Sequence, residues 1–140
     1  MIDTIQVIGW ILIHQERENA FPGWPDDQIA RTVLEHFRDD EAITIIDDTA
    51  DQIIGILLYS VNDKERVIRI EHIITDAPVA IKGMLAVWYI RYPEYDLIGQ
   101  RGGQERRYKI RNFQRLLRKN DTPYHVTEVD TAELLQYTNN

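Results

Sequence analysis

The side chains with the most chemistry to offer form one dense run of cations: Arg101, Arg106, Arg107, Lys109, Arg111, Arg115, Arg118 and Lys119, interleaved with Tyr108 and Phe113. From residue 101 to 119 these eight bases face a single acid, Glu105, for a charge of +7. Residues 1–100 carry 8 bases and 18 acids, a charge of −10. Guanidinium groups at this density hold phosphates or carboxylates, so the segment suits a nucleic acid or an acidic protein surface. A polyanion would be repelled by the rest of this acidic chain, which favours the acidic protein surface. The competing reading is a solvated helix face that neutralises the acidic body.

Other constellations exclude more than they propose. The chain has no cysteine, which rules out disulfides, thiol catalysis and Cys-ligated zinc, and fits a reducing compartment. His14, His36 and His125 have no metal-ligand spacing, so no metal is expected. Gly99-Gln100-Arg101-Gly102-Gly103-Gln104 lacks the spacing of a phosphate-binding or dinucleotide-binding loop and reads as a flexible turn after a strand.

These residues must be positioned by a core, and 140 residues with 44% hydrophobic and 28% charged side chains suffice for one domain spanning 1–140. No apolar run approaches the roughly 18 residues that span a bilayer. The opening Met1-Ile2-Asp3-Thr4 lacks a basic n-region, so the expectation is a cytoplasmic protein with no membrane partner.

Apolar spacing at Ile5, Ile8, Ile11 and Leu12 predicts a helix over 5–18. After the break at Phe21-Pro22-Gly23-Trp24-Pro25, Asp26 or Asp27 is expected to cap a second helix that turns Ile29, Val33, Leu34 and Phe37 inward. β-Branched runs predict strands over 42–47, 53–61 and 66–75. Pro78 suits the first turn of a third helix over 78–91, with Ile81, Met84, Leu85 and Trp88 inward. A strand over 95–100, a basic amphipathic helix over 110–119, a strand over 124–129 and a short helix over 131–137 complete the chain. The strand over 95–100 is expected to lie parallel to the one ending at Thr75, with the third helix crossing between them.

This order is α/β, and it resembles the fold of the GNAT superfamily of N-acetyltransferases, a mixed, mostly antiparallel sheet flanked by helices. Three segments carry the likeness: Asp51-Gln52-Ile53-Ile54-Gly55-Ile56-Leu57, Arg69-Ile70-Glu71-His72-Ile73-Ile74-Thr75-Asp76, and the first-helix region 11–26. The resemblance implies an acetyl-CoA site at Ile74, Thr75, Val79, Ala80, Ile81, Lys82 and Asn112. It also implies Glu71 as base with His72 second, and Tyr108 as a substitute for the family's tyrosine acid. An acceptor site would be walled by Trp10, His14, Phe21 and Trp24.

The sequence departs from the family twice. At the strand-to-helix junction the family carries Arg or Gln, two residues, Gly, one residue, and Gly or Ala. This chain has Ala77-Pro78-Val79-Ala80-Ile81-Lys82-Gly83. The residues after Asn112 include Phe113, Leu116 and Leu117 but no tyrosine. The stretch 92–117 in turn resembles small GNAT-like proteins encoded by bacteriophages, where the fold serves in or around the virion. Two expectations follow: a non-catalytic, virion-associated binding or structural module that docks through Arg101, Arg106, Arg107, Lys109, Arg111 and Arg115, or a divergent acetyl-CoA-dependent N-acetyltransferase acting on an amine. Oligomerisation stays open in both.

Overall fold

The computed structural model describes residues 3–47, 49, 51–101, 103–109 and 126–128. The expected helices over 110–119 and 131–137, with Arg111, Asn112 and Arg115, lie outside the described residues.

Helix α1 spans Thr4–Glu18 and begins with reciprocal capping: Gln6 N–H donates to the Asp3 carboxylate, and Asp3 N–H donates to the Gln6 side chain, both at 2.8 Å. Asn19 ends it in the left-handed region at φ 52°. Its buried stripe is Thr4, Val7, Ile11 and His14. The expectation that Ile5 faces inward is therefore corrected, since Ile5 is 76% exposed. Helix α2 spans Asp26–Arg38 and buries Ile29, Val33 and Phe37 as the spacing predicts. Its N-cap is Pro25 rather than an aspartate, with no capping side chain. Asp26 and Asp27 instead sit in the first turn, and Asp27 pairs with Arg31 one turn on.

Strands β1 (Ala42–Asp47), β2 (Gln52–Asn62) and β3 (Val67–Thr75) form an antiparallel meander. Helix α3 (Pro78–Arg91) then returns the chain to β4 (Asp96–Arg101), which pairs parallel to β3 from Val67↔Asp96 to Arg69↔Ile98, as expected. The sequence reading is corrected at the next element. Gly99, Gln100 and Arg101, expected in a flexible turn, belong to β4. Gln104–Tyr108, to which the sequence assigned no element beyond Gln104 in that turn, is a strand, β5, folded antiparallel onto β4 around a turn with Gly103 at φ 78°. Strand β6 (Val126–Glu128) pairs with β1, so the sheet order is β5-β4-β3-β2-β1-β6.

Each face of the sheet carries its own core. Against α1 and α2 pack Ala42, Ile53, Ile56, Leu58 and Ile74. Against α3 pack Ile43, Ile45, Leu57, Tyr59, Ile68 and Leu97. Two irregularities let one strand serve both faces: Ile54 is an extra residue between the pairs Ile45↔Gly55 and Ile46↔Ile53, and Glu71 is extra between Leu58↔His72 and Tyr59↔Ile70. Each bulge flips the alternation, so Ile68 and Ile70 meet α3 while Ile74 meets the other layer.

Helix α3 approaches the sheet over two glycines. A Cβ on Gly55 would lie 2.7 Å from Met84 Cε and 2.8 Å from Ala80 Cβ, and one on Gly83 would lie 3.3 Å from Ile45. This seating turns Ala80, Gly83, Met84 and Trp88 inward and leaves Ile81 44% exposed, which corrects its expected inward placement.

Gly55→Ala is expected to lower unfolding free energy by about 1–3 kcal/mol, because Ala80 Cβ has no rotamer with which to retreat. Gly9→Ala is the control, since nothing lies within 4 Å of its added methyl; there alanine should add about 0.5–1 kcal/mol through helix propensity. Urea denaturation of the two variants checks both signs.

Candidate functional site

Beyond Arg69↔Ile98 the parallel strands β3 and β4 have no further pairs, and a groove of about 240 Å³ opens there. It is lined by Arg69, Ile70, Glu71, Ile73, Ile98, Gly99 and Gln100. The bulge at Glu71 marks the place where β3 changes face. Glu71 is exposed and accepts a hydrogen bond from Ser60 Oγ at 2.8 Å, across to β2. Arg69, its neighbour two residues back, instead pairs with Glu105 on β5 across the strand between them.

His72 lies away from the groove. Its ring packs 4.1 Å from Phe21 and 5.3 Å from Trp24 beneath the α1–α2 connection. Burial lowers its pKa below 6.5, and the charge of His36 adds to the effect, against smaller opposing contributions from Glu71 and the Ala20 carbonyl. His72 is thus a neutral, packed imidazole. Tyr108 ends β5 opposite Leu97, half-buried in the apolar cluster under α3. Glu71, His72 and Tyr108 therefore occupy three separate environments.

The expected acceptor wall divides in two. Trp10 stacks on His14 with ring centroids 3.8 Å apart. His14, 3% exposed, lies 2.9 Å from the Trp10 carbonyl through Nδ1 and 3.4 Å from Asp76 through Nε2. Phe21 and Trp24 belong to the His72 cluster. A second cavity, about 350 Å³, lies between α1 and the β1–β2 hairpin, lined by Gln6, Trp10, Asp51, Gln52 and Ile53. None of these described lining residues is cationic.

At the start of α3, where the resemblance places a pyrophosphate, donors are scarce. Pro78 has no N–H, the Ala80 N–H donates to the Ala77 carbonyl at 3.0 Å, and no side chain caps the helix. Ile74 and Ala80 are core residues, Thr75 and Val79 are half-buried, and Lys82 is exposed. Gly83 sits two turns into the helix against Ile45 and offers nothing to a ligand.

The cationic segment begins as the edge of the sheet. Arg107 Nε and Lys109 Nζ reach the same Asp96 oxygen at 2.9 and 3.4 Å. Arg106 stands opposite Gly99, which has no side chain, and makes no ion pair among the described residues. Sequence reasoning missed that these charges lie on a strand; the one available signal was Gly102-Gly103 between two short polar stretches. The backbone of Arg101 closes the hairpin against Gln104. Among the described residues no group of His, Asp and Glu could hold a metal ion, and no helix is long and apolar enough to cross a membrane.

Comparison of the chain with protein-family models, with curated proteins and with solved structures gives no match.

Because the folded pKa of His72 lies below its ordinary 6.5, the unfolded chain takes up this proton more readily. The stability it contributes is full above pH 6.5 and falls as pH drops below 6.5 toward the folded value. Urea midpoints for the parent should decline between about pH 7.5 and about pH 5 more steeply than those of His72→Phe, which keeps the ring packing without the titration. Parallel declines would contradict this.

Proposed function

We propose that this chain is a non-catalytic binding module, with the layout of the GNAT fold, that docks an acidic protein surface through the cationic strand β5 and the basic segment following it. The observation that carries this reading is Arg106: an exposed guanidinium on an edge strand, facing a glycine and without a counter-charge among the described residues. A partner carboxylate satisfies it at little desolvation cost, and neighbouring Arg107 and Lys109 raise the encounter rate. A virion or host protein suits this role, in keeping with the likeness to phage-encoded proteins.

The first turn of α3 supports the absence of catalysis. An acyl-CoA pyrophosphate needs several converging N–H donors, and here Pro78 removes one and Ala77 engages another. The groove beside Glu71 favours a second reading, a divergent N-acetyltransferase with Glu71 as base. Its carboxylate has the exposure to accept a proton from an ammonium, although Ser60 already occupies one of its oxygens.

Titration calorimetry with acetyl-CoA separates the readings. The binding module gives no saturable heat at micromolar ligand. Micromolar binding that Glu71→Gln leaves intact, together with amine acetylation that the same substitution abolishes, would establish the enzyme instead.

A further inference from the structure

We infer that the outer edge of β5 takes an extended acidic peptide as an added antiparallel or parallel strand, an inference that rests on the docking reading above and specifies its partner. Among the described residues strand β5 is terminal in the order β5-β4-β3-β2-β1-β6, with one neighbour, β4. In a paired strand alternate residues turn their backbone N–H and C=O groups away from the neighbour, so five residues of β5 present a ladder for another chain.

Charge decides among occupants. A parallel, in-register second copy would set Arg106 against Arg106 and Arg107 against Arg107, and like charges opposite one another are destabilising; an antiparallel copy offers as counter-charge on this strand only Glu105, which already pairs with Arg69. An apolar peptide would leave Arg106 unmatched. An acidic strand places a carboxylate beside Arg106 on one face, and a second beside the Arg107 and Lys109 pair on the other face. Within the sheet Arg107 and Lys109 already share one carboxylate, Asp96, and Glu105 is taken by Arg69. The cations thus outnumber their partners along this edge, and the acids are occupied. The charges that keep β5 from pairing with itself select an acidic strand.

The test is fluorescence anisotropy on the full chain with three probes: a labelled Glu-Val repeat peptide of about ten residues, the Lys-Val repeat of equal length, and the Glu-Val peptide N-methylated throughout its centre. N-methylation keeps the charge and removes the backbone donors. The Glu-Val peptide is expected to bind, the Lys-Val peptide not to bind, and the N-methylated peptide to bind at least roughly tenfold more weakly. Arg106→Glu should cost roughly tenfold, and Arg106→Lys much less; circular dichroism of both variants checks that the fold is kept. Equal binding of the N-methylated peptide overturns strand addition and leaves charge-driven docking standing. No binding of the Glu-Val peptide, or equal binding by Arg106→Glu, overturns both.

Discussion

The fold depends on how closely α3 can approach the sheet. Gly55 on β2 removes a side chain that would collide with Met84 and Ala80, and Gly83 on α3 lets Ile45 pack closely against the helix. That contact sets the rotation of α3, so Trp88 and Met84 enter the core and Ile81 and Ile90 face outward. The far end is fixed by polar groups: the Tyr59 hydroxyl donates to the Asp40 carbonyl at 3.1 Å, and Arg91 donates to the Tyr59 oxygen at 3.3 Å and the Ala42 carbonyl at 3.4 Å. Burial first, then the Tyr92 hydroxyl, pushes the Tyr59 phenol well above the ordinary tyrosine range, so it remains a neutral donor. With α3 seated, β4 arrives parallel to β3, and β5 follows as the edge.

The same seating bears on chemistry. An α3 packed this tightly begins at Pro78, two residues after Asp76, whose own N–H donates to the Ile54 carbonyl at 2.8 Å. The bulge at Glu71 then sorts the charged residues: His72 goes under Phe21 and Trp24, while Arg69 and Glu71 remain at the rim of the groove. Arg69 and Glu71 are engaged in cross-strand contacts with Glu105 and Ser60, while Arg106 on the edge strand makes no ion pair among the described residues.

Much of this was legible in residue types. The bounds of β1 and α3 follow from the β-branched run 42–47 and from Pro78 and Pro93, because proline punctuates backbone hydrogen bonding irrespective of tertiary context. The parallel return to β4 follows from the length of the helical connection. Strand β5 was not legible: an edge strand of Gln104, Glu105, Arg106 and Arg107 buries almost nothing and so shows no apolar alternation. Helix α1 misled in the opposite way. Ile5, Val7, Ile8, Ile11, Leu12 and Ile13 surround its axis, so spacing alone could not select the stripe led by Val7 and Ile11. Alternation along a strand already sets Glu71 and His72 on opposite faces, but sequence does not announce a bulge, so the change of face between Ile70 and Ile74 and the separation of Tyr108 from both emerged only with the register.

Together these features describe an α/β body with Arg106, Arg107 and Lys109 on an edge strand of the sheet, the edge that the proposed function makes a docking surface. The most direct measurement of that claim is an NMR titration of the isotope-labelled full chain with poly-glutamate, followed by amide chemical shifts. The account predicts salt-sensitive shifts concentrated from Gln104 to Lys109, with those of Val79 to Lys82 unmoved. Shifts centred on the start of α3 or on the groove beside Glu71, with β5 unaffected, would contradict it.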